Sequence, residues 1–148
     1  MAIIAPSQAP LTARWATLLW LLAVGAGVAE SVVGAAGAIA DGVSASNLVA
    51  QIAVRTVIYG ALFVVIDRFF RHGVPWSRYL LVGLLGTVGF ASLVYGPATW
   101  LLGGGEFAAL PRSAEFLAEV ALRSVHLTAL VTALAFTFHP ETTRWFRR

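Results

Sequence analysis

Four long apolar runs constrain this chain more than any other feature. They cover residues 15–38, 48–68, 79–102 and 114–138. A helix rises 1.5 Å per residue, so about 20 mainly apolar residues cross a hydrocarbon core. Every run is long enough. Buried core helices of a soluble fold are the alternative, but four of them would leave no amphipathic shell to cover them. The composition agrees: 59% of the 148 residues are hydrophobic and only 11% charged, against about 25% charged in an ordinary soluble domain. The expectation is an all-α membrane protein, residues 1–148 forming a single four-span membrane domain. Short connections favour antiparallel neighbours, hence four transmembrane helices in an up-down bundle.

The first run also invites comparison with a cleaved leader. Ala38-Ile39-Ala40 before Asp41 has the small-x-small look of a cleavage site. The run is longer than the usual apolar region of a signal peptide and carries Glu30, so it reads as a retained span.

Arginine counting sets the expected topology. All ten basic residues are Arg. Arg14 precedes the first span, Arg68, Arg71 and Arg78 fill the connection between the second and third, and Arg144, Arg147 and Arg148 end the chain. The opposite side holds Arg112 beside Asp41, Glu106 and Glu115. The positive-inside rule then places both termini and the middle connection in the cytoplasm. The implied location is a bacterial inner (plasma) membrane, crossed several times. Trp15, Trp76, Tyr79, Trp100 and Trp145 sit near span ends, as interfacial anchors do. The formal charge of +3 reads as this topological arginine and not as a nucleic-acid surface.

The second and fourth spans look alike. Leu48–Val57 aligns without gaps on Phe116–Val125, with Arg55 falling on Arg123 and Gln51 on Glu119. The first and third align more faintly, through Arg14-Trp15 on Arg78-Tyr79 and Val24-Gly25 on Val88-Gly89. The chain reads as a tandem duplication of a two-helix hairpin, both copies in the same orientation. Chance likeness between apolar spans is the alternative.

Ionisable residues inside the spans carry the chemistry. A charge near the bilayer centre costs about 2.5–3.5 kcal/mol, so it normally faces the bundle and has a partner. Glu30 and Arg55 lie at similar depth and are expected to pair. Glu119, Arg123 and His126 share one helical face, as do Gln51, Arg55 and Tyr59. Gly27, Gly34 and Gly37 flank Glu30, and Gly89, Ser92 and Gly96 form a matching small stripe on the third span; small residues let membrane helices approach closely. Glu30, Arg55, Glu119, Arg123 and His126 are therefore the candidate cluster. It serves either as salt bridges that lock packing or as a site for an anion, a proton or a lipid headgroup.

Much chemistry is excluded. There is no cysteine, which removes disulfides, thiolate metal sites and covalent haem attachment. His126 has no second histidine inside a span, so a haem would lack its usual axial pair. His72 and His139 sit at inner span ends with no acid or Cys to complete a metal site. No hydrolase elbow, zinc-protease motif or nucleotide loop occurs. Gly103-Gly104-Gly105 to Pro111 reads as a hinge-like loop, and Pro97 as a kink. No cofactor is expected, and the chain does not read as an enzyme.

Ala29-Glu30 followed by Gly34 in a first span, within a four-span chain of this length, is similar to the small multidrug-resistance transporters. That resemblance implies an essential first-span Glu and a dimer. It covers only this stretch; the other spans depart from the family's pattern, and membrane-embedded Arg55 and Arg123 are foreign to it. The functional expectation is a non-catalytic accessory or scaffolding subunit of a larger membrane complex. The alternatives are a small oligomeric transporter or channel, and an anionic-lipid binder, either using the charged cluster. The partners expected are the lipid bilayer and other membrane subunits or further copies of the chain, with no nucleic acid.

Overall fold

The structure, a computed structural model, describes residues 8–147; Arg148, counted among the cytoplasmic arginines, lies outside them. The described chain is helical throughout, with four helices long and apolar enough to cross a membrane: α1 (Leu11–Ala40), α2 (Ala45–His72), α3 (Pro75–Leu102) and α4 (Ala114–Thr137). A short α5 (Pro140–Trp145) follows.

The helix ends explain the boundaries. Pro75 and Pro140 open α3 and α5 at the first-turn position, where a missing N–H costs nothing. Ser113 caps α4, its hydroxyl accepting from the Phe116 N–H at 3.2 Å. Gly73 ends α2 in the left-handed conformation at φ 76°. There its N–H reaches the Phe70 carbonyl and the Val74 N–H reaches Phe69, both at 3.0 Å, closing a Schellman turn. Gly42 and Gly104 end α1 and α3 by the same device.

One feature differs from expectation. The second and third helices leave only Gly73 and Val74 between them, so Arg68, Arg71 and Arg78 lie on helices and do not fill a loop. The reason is a change of winding: α2 continues through a π turn at Val65–Phe69 and a 3₁₀ turn at Phe70–His72, which carries helical hydrogen bonding past its polar residues. Pro97 lies within α3, which runs on to Leu102. The Gly103–Pro111 connection contains a 3₁₀ turn at Phe107–Ala109.

Helix α1 is the centre of the packing. It runs antiparallel to α4 and meets α5 at its start, as three contacts show. The Thr142 hydroxyl donates to Thr12 at 2.9 Å, the Trp20 indole donates to the Thr137 hydroxyl at 3.0 Å, and Glu30 meets His126 at 3.0 Å. The core gathers near one end, which holds the start of α1, the Gly73 turn and α5. Trp20, Ile66, Phe70, Leu81, Leu130 and Phe146 are buried there together. Three polar groups are buried with them without loss. The Thr137 hydroxyl passes its own hydrogen to the Ala133 carbonyl at 2.7 Å, Ser77 donates to Val74 at 2.6 Å, and Thr142 donates to Thr12. Each satisfied group avoids the desolvation penalty of an orphan.

The other end is open. Beyond Leu62 toward its start, α2 buries nothing, and in the far stretch of α3 only Leu93 is buried. Between the far parts of α1 and α2 lies a groove of about 1070 Å³, lined by Leu21 to Ile39 on one wall and Leu48 to Phe63 on the other.

Candidate functional site

Glu30 anchors the only polar cluster that bridges the spans in their far half, among the described residues. It projects from α1 at the level of Gly27, where the backbones crowd. A Cβ on Gly27 would lie 2.9 Å from the Tyr59 hydroxyl and 3.1 Å from the His126 ring. Glycine there lets α2 and α4 both bring ring side chains against α1. The same approach allows the Ser31 hydroxyl, which donates to the Gly27 carbonyl at 2.8 Å, to sit 3.4 Å from the Tyr59 oxygen.

The Glu30 carboxylate divides its two oxygens between two partners on α4. Oε1 lies 3.0 Å from His126 Nδ1, and Oε2 lies 4.0 Å from Arg123 Nε. Arg123 and His126 are three residues apart, so one helical face presents both to the same acid. With Glu30 ionised, Nδ1 carries the hydrogen of the shorter contact. The Glu30 side chain is 18% exposed and that of His126 9%, whereas that of Arg123 is 46% exposed. The His126 contact is thus the sheltered one, and the Arg123 contact is long and half open. His126 Nε2 is buried with no hydrogen-bond partner.

The other two members of the expected cluster stand apart. Arg55 does not pair with Glu30, whose oxygens are taken by α4. It sits instead on the wall of the α1–α2 groove with Gln51 and Tyr59, the face that their spacing implied. Among the described residues Glu119 is in no ion pair either, since Arg123 turns toward α1. The remaining bridge, Arg71 to Asp67 at 3.1 Å, is an exposed pair within α2. The two arginines matched in the internal alignment therefore do different things: one closes onto an acid, and the other faces a groove.

Sequence reasoning missed Arg78. The arginine pattern places it in a connection, yet it is 6% exposed and packed among aromatic rings. Its guanidinium lies 4.5 Å from the Tyr79 ring centre and 5.8 Å from that of Phe146, and it donates to the Tyr79 hydroxyl. Nε and Nη1 have no partner. The adjacent Trp76 and Tyr79 were the available signal, because arginine stacks on aromatic faces. Among the described residues no three His, Asp or Glu side chains converge on a common point. Compared with known proteins, the chain matches no family model, no curated protein and no solved structure.

Proposed function

We propose that this chain is a small integral membrane protein with both termini in the cytoplasm, acting as a non-catalytic accessory or scaffolding subunit of a larger membrane assembly. The observation that carries the reading is the uncovered far part of α3. Gly96 has open space where a side chain would project, and Tyr95, Leu101 and Leu102 are exposed in the same stretch. In a bilayer, lipid satisfies apolar side chains, but small residues on an open face are what a neighbouring helix packs against. The charged residues support the same reading. Glu30 is already engaged by His126 and Arg123, so the cluster holds α1 to α4 and leaves little for catalysis. The tandem-hairpin reading belongs with this proposal, supported by the alignment of Arg55 on Arg123.

The test is native mass spectrometry after mild extraction from the membrane of origin. Copurification with a different membrane chain is the expected result. A chain that always runs alone as a monomer sinks the proposal.

A second reading, a small oligomeric transporter or channel built on Glu30, Arg123 and His126, draws on the unpartnered Nε2 of His126. Liposome flux with Arg123→Ala and His126→Ala separates it: flux surviving both substitutions rules out this site.

A further inference from the structure

The α1–α2 groove combines two properties that do not serve the packing of this chain. Its walls are apolar over nearly their whole length, and Arg55 is the one charged residue among those that line it. Arg55 is exposed and in no ion pair among the described residues. An arginine at this depth requires an anion or a route to water. No acid of the described chain supplies the anion, because Glu30 is turned to α4.

Length and width define what fits. Leu21 to Ile39 spans about 27 Å along the α1 wall by helical rise. A Cβ added at Gly25, Gly34 or Gly60 meets nothing within 4 Å, so the glycines hollow out the groove instead of seating a helix of this chain. Its volume of about 1070 Å³ stands at the upper end of small-molecule sites, roughly 300–1,000 Å³. A small inorganic anion would satisfy Arg55 and leave the apolar walls bare. A neutral acyl chain would cover the walls and leave Arg55 unmet. The occupant needs both parts.

Depth favours a lipid of the adjoining leaflet. Arg55 lies about 15 Å from the start of α2, a helix about 42 Å long, which overshoots a hydrocarbon core of roughly 30 Å. Its guanidinium is therefore within snorkelling reach of the phosphate level. We propose that the groove holds one anionic phospholipid. Its headgroup phosphate pairs with the Arg55 guanidinium, Gln51 offers an amide beside it, and an acyl chain runs along the walls toward Leu21 and Phe63. The proposal rests on the chain spanning a membrane but not on any assembly role.

The experiment uses the full chain reconstituted in nanodiscs of equal phosphatidylglycerol and phosphatidylcholine, read by native mass spectrometry. One retained phosphatidylglycerol per chain is expected, with at least a tenfold preference over phosphatidylcholine. Arg55→Gln abolishes the preference and Arg55→Lys keeps part of it. Gly60→Leu, which fills open space and leaves the fold intact, lowers retention of the lipid. Arg71→Gln, the same charge change at an exposed pair, leaves it unaltered. Equal retention of both lipids, or a preference unchanged in Arg55→Gln, means annular lipid only and overturns the proposal. Crosslinking of a Gly60→Cys probe to another protein chain overturns it as well, by showing a protein occupant. Carbonate extraction is run in parallel. Release of the chain from membranes sinks the membrane reading itself, whereas a retained chain without lipid preference sinks only the groove.

Discussion

At the scale of single residues, the Glu30–His126 contact sets the register between α1 and α4. Glu30→Gln keeps an oxygen that can accept from Nδ1, though as a weaker neutral bond, and loses the long interaction with half-exposed Arg123. Exposed pairs contribute about 0–1 kcal/mol, so the expected change in thermal unfolding in detergent is small. Glu30→Leu removes the acceptor as well and leaves His126 Nδ1 unmet in a sheltered place. Its expected cost is about 1.5–3 kcal/mol, the worth of a hydrogen bond to a charged group. Equal stability of the two variants would show that the contact does not hold the helices. Gly27 supplies the complementary test. Gly27→Val forces Tyr59 or His126 aside and is expected to destabilise by about 1–3 kcal/mol. Combining it with Tyr59→Ala returns part of that loss, which a double-mutant cycle measures. Glu30 and His126 were legible as candidates because an acid and a histidine stand out in apolar spans. Their pairing was not, since Arg55 offered an equally plausible partner at the same depth.

At the scale of elements, turns and helix ends follow local chemistry. The proline starts, the Ser113 cap and the glycine stops all occur where sequence rules put them. The α2–α3 turn shows how sharply this is determined. Gly73 combines positive φ with Trp145 packed 3.1 Å from where a Cβ would stand. Gly73→Ala therefore meets a left-handed penalty of about 1–2 kcal/mol and a steric one besides. Gly25→Ala is the control: it lies inside α1 with nothing near, and alanine there gains up to about 1 kcal/mol of helix propensity. Opposite signs in thermal unfolding are expected; a loss at both positions would contradict the assigned backbone. The π and 3₁₀ turns that carry α2 past Arg68 and Arg71 were not legible. They come from the packing of Ile66 and Phe70 into the core, and no local signal marks them.

At the scale of the whole molecule, one closed end and one open end suggest different roles for the two halves. The closed end, centred on Trp20, Phe70 and Phe146, supplies the stability of the isolated chain. The open end supplies surface. Gly96→Leu is therefore expected to leave thermal unfolding near the parent value while dissociating the proposed assembly in native mass spectrometry. A fall in stability with no change in assembly would place α3 inside the chain's own core instead. Membrane orientation has an equally direct test, because the chain has no cysteine. Ser44→Cys is expected to label with an impermeant maleimide on intact cells. Thr143→Cys labels only after permeabilisation, if the arginine distribution orients the helices as proposed.

The number of long apolar helices, their limits to within a few residues and the identity of the unusual charges followed from the sequence alone. Helix length, hydropathy and turn chemistry are local properties, and each is decided within one segment. Which charges meet was decided only by the tertiary structure. Depth along a helix can be counted from residue numbers. The direction a side chain faces depends on which helix lies beside it, and α1 turns Glu30 to α4, not α2. The same choice leaves Arg55 over a groove, and the packing of the closed end buries Arg78, which the arginine pattern places in a connection.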